Sequence, residues 1–222
     1  MKVLIILNYQ REIPPFIITE IKQAEKYFDR IEYITPCLYN NNSTEIKSEK
    51  VLITQIKDKI SWRLILLSLL GIFRKEVFFD IKKALKEKKF NKDFLIHLAT
   101  EIYPSELLFQ NTKKIIISKY LDDQVCVLSS WFNCNAYATA RLKKKYNEIT
   151  AISYAHAFEV NPERGPFINV SLNDYKHNNL DRVIFISKNV LEKYLFALKY
   201  TNQNFLKNIY IHYLVLLVYI FS

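Results

Sequence analysis

Two apolar stretches in the second half of the chain decide the fold: Ile149-Thr-Ala-Ile-Ser-Tyr-Ala-His156-Ala-Phe-Glu159 and Leu180-Asp-Arg-Val-Ile-Phe-Ile-Ser187. Each is a short apolar run that ends abruptly in polar side chains. Runs of this length, alternating with helical segments, are typical of buried strands in a parallel sheet. Open parallel sheets bind ligands just beyond the carboxyl ends of their strands, so His156 and Glu159 are candidate site residues.

The same alternation of strands and helices covers most of the chain. The pattern predicts strands at Lys2–Leu7, Arg30–Thr35, Val51–Thr54, Gln124–Ser130, Ile149–Tyr154 and Arg182–Ser187. It predicts helices at Pro15–Phe28, Ile56–Phe73, Glu76–Lys88, Phe94–Tyr120 with an interruption near Pro104, Asn133–Tyr146, Pro166–Asn179 and Lys188–Lys199. This order predicts an α/β fold, a Rossmann-like doubly wound parallel sheet with helices on both faces, over residues 1–200.

Composition limits the chemistry that the chain can perform. The 222 residues include only two glycines, which excludes a G-x-G-x-x-G or Walker phosphate loop. The net charge of +10 indicates an anionic partner, such as phospholipid headgroups, nucleotide phosphates or nucleic acid, or else solvated surface lysines. The three cysteines lack the spacing of a metal site or a disulfide framework, so we expect a cytoplasmic protein without a metal or other cofactor.

The end of the chain has a different composition. Asn208–Phe221 is almost wholly apolar and aromatic, and it is shorter than the roughly 20 residues of a standard membrane span. Its start, Ile209–Tyr213, could open as a strand, but no helix or polar face follows. We therefore interpret residues 201–222 as the truncated or frameshifted start of a second domain.

Polar and aromatic side chains follow several predicted strands and would share one rim of the sheet. Such a set suits a sugar, because amides, carboxylates and imidazoles hydrogen-bond to hydroxyl groups while an indole covers the apolar face of the ring. The candidate residues are Asn8, Trp131, Asn133, His156, Glu159 and Ser187.

The block Ile152-Ser-Tyr-Ala-His156-Ala-Phe-Glu159, followed by Glu163-Arg164 and the strand that ends at Ser187, resembles the N-terminal domain of family-4 glycosyltransferases. Bacterial capsule and surface-polysaccharide enzymes of that family carry a strand ending in Arg-Ala-His-Gly-Tyr-Asp, then Glu-Arg, then a strand ending in Ile-Ser. The opening segment and Leu128-Ser-Ser-Trp131 are also similar. The resemblance extends from Met1 to about Tyr200, with Ala157 and Glu159 in place of the family's Gly and Asp.

The resemblance implies the acceptor half of a GT-B enzyme, which transfers a hexose from a nucleotide sugar with retention of anomeric configuration. His156 would be catalytic and reach the donor sugar, while Arg164 and the rim residues would bind substrate. The donor domain does not lie within these residues, so the resemblance implies a nucleotide-sugar partner only where that domain is supplied. The acceptor would be a saccharide, including a lipid-linked one.

Structural interpretations stay open for each candidate. His156 could be a satisfied core histidine, Glu159 could cap a helix or pair with Arg164, Trp131 could be a packed aromatic, and Ser187 is a preferred helix N-cap. The chain could likewise be a catalytically inactive truncated product or a sugar-binding module. A nucleic-acid binder is the weakest hypothesis, because the lysines are spread and no RNA-binding or helix-turn-helix motif is present.

The apolar stripe Ile60–Phe73 has two interpretations as well. It could pack into a core, or it could lie on an anionic bilayer, because Arg63, Arg74 and Lys75 flank it. The second interpretation predicts a peripheral protein at the inner face of the membrane.

Overall fold

A computed structural model of the chain describes residues 1–10, 12–36, 46, 48–56, 62–156, 172–198 and 209–211. These residues form an α/β domain in which strands and helices alternate along the sequence. The predicted fold class, a Rossmann-like doubly wound parallel sheet, is confirmed.

Within the described residues, seven strands form one sheet in which every neighbouring pair is parallel. The spatial order is β3-β2-β1-β4-β5-β6-β7. The strands are β1 (Lys2–Leu7), β2 (Arg30–Pro36), β3 (Val51–Ile56), β4 (Gln124–Ser129), β5 (Thr150–Ala155), β6 (Arg182–Phe185) and β7 (Ile209–Ile211).

The helices connect these strands and cover both faces of the sheet. They are α1 (Pro15–Ala24), α2 (Trp62–Gly71), α3 (Lys75–Lys86), α4 (Lys92–Lys119), α5 (Cys134–Lys145), α6 (Asn173–Asn179) and α7 (Lys188–Leu198). In the part of the chain that the structure describes, no helix combines the length and the apolar character needed to cross a bilayer.

Alternate residues of the central strand β1 face opposite layers of the core. Val3, Ile5 and Leu7 belong to the layer that contains the apolar residues of α4 and α5. Leu4 and Ile6 belong to the layer that contains α1. Because successive strand residues point to opposite faces, this single apolar run supports a helix layer on each side of the sheet.

Three predicted boundaries are wrong, for separate reasons. Ile56 ends β3, since that segment pairs with β2, and the helix is described from Trp62 to Gly71. Pro104 does not interrupt α4, which stays helical because Ile102 and the residues from Pro104 to Phe109 are buried. Burial there outweighs the local penalty of a helical proline, about 3 kcal/mol. The helix predicted over Pro166–Asn179 is not continuous, because Leu172 has a left-handed backbone with φ 57° and α6 begins after it at Asn173; residues 166–171 lie outside the described residues.

The segment interpreted as the start of a second domain is described only at residues 209–211. These residues form β7, which pairs in parallel with β6 at the edge of the same sheet. The prediction that residues 201–222 begin another domain stays a prediction.

Candidate functional site

The order of the strands reverses beside β1. From β1, strands β2 and β3 extend to one side of the sheet, whereas β4 to β7 extend to the other. Because all strands are parallel, their carboxyl ends share one rim, where Asn8, Ser130 and His156 directly follow β1, β4 and β5. In open α/β sheets, the crevice beside such a reversal is the usual place for a ligand.

Three aromatic rings from three different loops or helices meet at this rim. The His156 ring lies 4.5 Å from the Trp131 ring and 4.9 Å from the Phe16 ring, measured between centroids. Phe16 also meets Trp131 edge-on at 5.7 Å. Phe16 comes from the first turn of α1, and Trp131 comes from the loop between β4 and α5. The structure therefore brings together His156 and Trp131, which the strand-end pattern placed on one rim.

The His156 ring is held in one orientation by the backbone. Its Nε2 lies 3.1 Å from the carbonyl oxygen of Ser130. A carbonyl only accepts hydrogen bonds, so Nε2 carries a proton and Nδ1 is the acceptor of the neutral ring. Burial lowers the pKa of His156, and the hydrogen bond to Ser130 offsets only part of that effect. The neutral imidazole therefore predominates at pH 7.

A carboxyl group and a phenol lie next to the aromatic rings. Glu20 follows Phe16 by one turn of α1, and Tyr154 lies two residues before His156, with its ring 6.2 Å from the imidazole. Burial raises the pKa of the Glu20 carboxyl, and the nearby Tyr154 hydroxyl opposes part of that rise. Burial and the Glu20 charge raise the pKa of Tyr154 well above its ordinary value. Both groups can form hydrogen bonds with hydroxyls.

Two buried N–H donors near this rim lack an acceptor among the described residues. They are the indole Nε1 of Trp131 and the amide Nδ2 of Asn135. The other end of the Asn135 amide, Oδ1, accepts a hydrogen bond of 2.9 Å from the backbone N–H of Tyr9. Buried donors are nearly always satisfied in folded proteins, so these two call for an acceptor beyond the described residues.

Asn8 supports the rim from inside. The residue is fully buried, and its amide donates to Tyr33 Oη at 2.6 Å and to the carbonyl oxygen of Glu12 at 3.3 Å. Thr35 Oγ1 fixes the same loop by donating to the carbonyl oxygen of Gln10 at 2.7 Å. Asn8 therefore holds the loop after β1 in place and does not line an open surface.

Two other candidates are helix caps, and two lie outside the described residues. Asn133 Oδ1 accepts a hydrogen bond of 3.1 Å from the N–H of Asn135 at the start of α5. Ser187 Oγ accepts one of 3.3 Å from the N–H of Val190 at the start of α7. Both residues are partly exposed, so a cap role leaves room for contact with a ligand. Glu159 and Arg164 belong to residues 157–171, which the structure does not describe.

The sequence interpretation missed three members of the site. Phe16 and Glu20 lie in the predicted helix Pro15–Phe28 and Tyr154 lies in the quoted block Ile152–Glu159, but none of the three was singled out. Two signals could have identified them. Phe16 and Glu20 are four residues apart, which places them on one face of α1, and Tyr154 shares a strand face with His156 because strand side chains alternate.

No group of three or more His, Cys, Asp or Glu side chains that could hold a metal ion occurs in the described ranges. The chain matches no protein-family model and no curated protein. The description of this protein therefore rests on the observed geometry. It is a Rossmann-like α/β domain with a neutral, aromatic-flanked histidine at the point where the strand order reverses.

Proposed function

We propose that this chain is the acceptor-side domain of a retaining, nucleotide-sugar-dependent glycosyltransferase of surface or capsular polysaccharide biosynthesis. The observation that carries the proposal is the contact of His156 with Trp131 and Phe16 at the rim where the strand order reverses. The sequence around His156 and Glu159, which resembles that of family-4 glycosyltransferases, supports the same function.

The site has the features that a sugar requires. The Trp131 and Phe16 rings offer apolar surface to the C–H face of a pyranose, and the indole N–H supplies a donor. The contact between Nε2 and the Ser130 carbonyl fixes the His156 ring, and a neutral imidazole held in this way can hydrogen-bond to a sugar hydroxyl. A fixed acceptor orients the hydroxyl without reorganisation in the transition state, which is how preorganised polar groups accelerate transfer.

The resemblance assigns the groups that bind the departing diphosphate to a second domain. The rim of this chain would then form one wall of the cleft, with the nucleotide sugar entering as a substrate and without a metal. We expect transfer by the 222-residue chain alone to be far slower than transfer by a chain that includes a donor domain.

The proposal is tested by a radiolabelled nucleotide-sugar assay on a fusion of this chain to a family-4 donor domain. His156→Ala should reduce transfer by at least about a hundredfold. His156→Gln is the matched control for structure, because its amide nitrogen can replace Nε2 in donating to the Ser130 carbonyl. It lacks a second acceptor at the position of Nδ1, so it should keep the fold and still lose transfer. Full activity of either variant would refute a catalytic role for His156.

A sugar-binding module without transferase activity would use the same residues. It would show saccharide binding that depends on Trp131 and His156, together with no transfer by the fusion for any nucleotide hexose. That result would show that the rim binds saccharides and does not catalyse transfer.

A further inference from the structure

Helix α2 presents an apolar face to the solvent. Trp62 is 86% exposed, and the residues that follow it at helical spacing, Leu66, Leu69 and Leu70, are each more than half exposed. Phe73, just beyond the helix on the same side, is 84% exposed. In a helix at the surface of a soluble domain, this outward face is normally polar. Helix α2 therefore lacks a polar outer face.

The apolar surface continues onto the two helices that follow. Phe78, Phe79 and Leu85 of α3 are more than half exposed, as is Ile96 of α4. A groove of about 290 Å³ joins α2, α3 and α4, and it is lined mainly by aliphatic side chains that include Leu69, Ile81, Leu95 and Leu98. We call the outer surface of Trp62–Ala99 the α2–α4 surface. Contiguous exposed apolar surface of this kind marks a site of interaction.

The same surface carries much of the positive charge of the chain. Residues 62–99 contain nine Lys and Arg residues and four Asp and Glu residues, so they hold a net +5 of the chain's +10. Lys75, Lys82 and Lys86 of α3 are exposed. Two of the four acidic groups point inward, because Glu76 accepts a hydrogen bond from Tyr137 Oη at 3.0 Å and Asp80 is buried.

We infer that the α2–α4 surface docks on the interface of an anionic bilayer, with the aromatic and aliphatic side chains inserted among the headgroups and the lysines on the phosphates. The positive charge of the α2–α4 surface favours an anionic bilayer over a second copy of the chain. Arg74 pairs with Glu106 and Lys83 pairs with Asp174, and the surface stays net positive after both pairs are counted. Two copies placed face to face would therefore bring positive charge against positive charge, whereas an anionic leaflet is complementary. The inference goes beyond the proposed function, since the surface shares no residue with the His156 rim.

Vesicle flotation of the full chain tests the inference. The vesicles are phosphatidylcholine alone, or phosphatidylcholine with about 30% phosphatidylglycerol, which makes the membrane anionic. We expect binding to the anionic vesicles and at least about tenfold less to the neutral ones. The double variant Trp62→Ser/Phe73→Ser should lose at least about tenfold of the partition coefficient, because both side chains bury apolar area in the interface. Lys82→Gln/Lys86→Gln should lose about tenfold through lost attraction.

Phe196→Ser is the matched control. Phe196 is 86% exposed, like Trp62, but it lies on α7. Its substitution should leave partitioning unchanged. All variants keep the apolar segment Asn208–Phe221, so a difference between variants cannot arise from that segment. The substituted side chains are exposed, and circular dichroism should show intact folds. In a variant that carries Trp131→Phe, Trp62 is the sole tryptophan, and its fluorescence emission should shift to the blue when anionic vesicles are added.

Three results would overturn the inference. They are equal binding to neutral and anionic vesicles, binding that Trp62→Ser/Phe73→Ser leaves intact, and self-association through Trp62 and Phe73 in light scattering without binding to either vesicle. The third result would identify a second copy of the chain as the occupant. None of them bears on transfer at His156, so failure here and failure of the proposed function are distinguishable.

Discussion

The His156 rim and the α2–α4 surface use aromatic residues in opposite ways. At the rim, Trp131 and Phe16 are half-buried and fix the position of one imidazole, which the Ser130 carbonyl orients. On the α2–α4 surface, Trp62 and Phe73 extend into solvent and their exposed side chains are not covered by the domain. The first arrangement suits a ligand that is recognised by a fixed geometry. The second suits a fluid partner such as a bilayer, in which the exact position of each side chain matters little.

A buried network of charges holds α4 against α5 and against the link between α2 and α3, and breaking that network should have the largest effect on stability. Glu106 of α4 is 1% exposed and accepts hydrogen bonds from Arg74, which links α2 to α3, and from Arg141 of α5. Glu106→Ala leaves two arginines without their carboxylate and should cost about 3–5 kcal/mol in the free energy of unfolding. Urea denaturation measures the change. Glu192→Ala, which removes an exposed pair with Lys188, is the control and should cost less than about 1 kcal/mol.

Removing one ring from the rim should have an intermediate effect. Phe16→Ala removes the contacts of Phe16 with both Trp131 and His156. We expect a loss of about 1–2 kcal/mol in stability, together with weaker saccharide binding, because the imidazole is then less well positioned. Phe196→Ala, at an exposed position, should change stability by less than about 0.5 kcal/mol. Equal effects of the two substitutions would show that the rim is not a packed cluster.

The stability of the protein should depend on pH through the carboxyl of Asp80, which is buried on the inner side of α3. Burial raises the pKa of Asp80 to about 7, and the hydrogen bond from the Leu172 N–H and the charges of Lys176 and Lys83 only partly oppose it. Because the folded-state pKa lies above the ordinary value of 3.8, the contribution of Asp80 to stability is complete below that value and is lost as the pH rises through about 7. Asp80→Asn stays neutral, so its melting temperature should rise relative to wild type between pH 4 and pH 8. A constant difference across that range would contradict the buried, protonated carboxyl.

The smallest effect on stability is expected on the α2–α4 surface itself. Leu66→Ser removes a large apolar side chain that is 57% exposed, so the free energy of unfolding should change by less than about 0.5 kcal/mol. Phe94→Ala, in the fully buried interior of the same helices, should cost about 3–5 kcal/mol. If Leu66→Ser destabilised the chain as strongly as Phe94→Ala, α2 would be packed against protein and would not be available for docking.

The fold was predictable because its signal is local. Each of the six predicted strands is an apolar run with clear ends, and Lys2–Leu7 was placed without error. The errors arose where tertiary contacts outweigh local signals. Pro104 breaks an isolated helix, yet the buried residues around it keep α4 continuous. The order of the strands is also set by long-range pairing, and a pattern of apolar residues does not contain that information.

The site was only partly predictable. A strand end locates His156 and Trp131 because parallel strands share one rim. Asn8 follows β1 in the same way, but alternation along the strand places it on the face of Leu4 and Ile6, where it meets the buried Tyr33 hydroxyl. Phe16 reaches the rim from a helix, and no strand-end argument points to it. Proximity between separate elements is the information that the sequence pattern lacks.

The most direct test of the sugar site is the fluorescence of Trp131 in the Trp62→Phe variant, in which Trp131 is the sole tryptophan of the chain. The chain is titrated with nucleotide hexoses and with hexose oligosaccharides. A saccharide at the rim must lie against the indole, so we predict a saturable change in emission that His156→Ala weakens at least about tenfold. A saturable change that His156→Ala leaves untouched, or saccharide binding by calorimetry without any change in Trp131 emission, would contradict the assignment of the site.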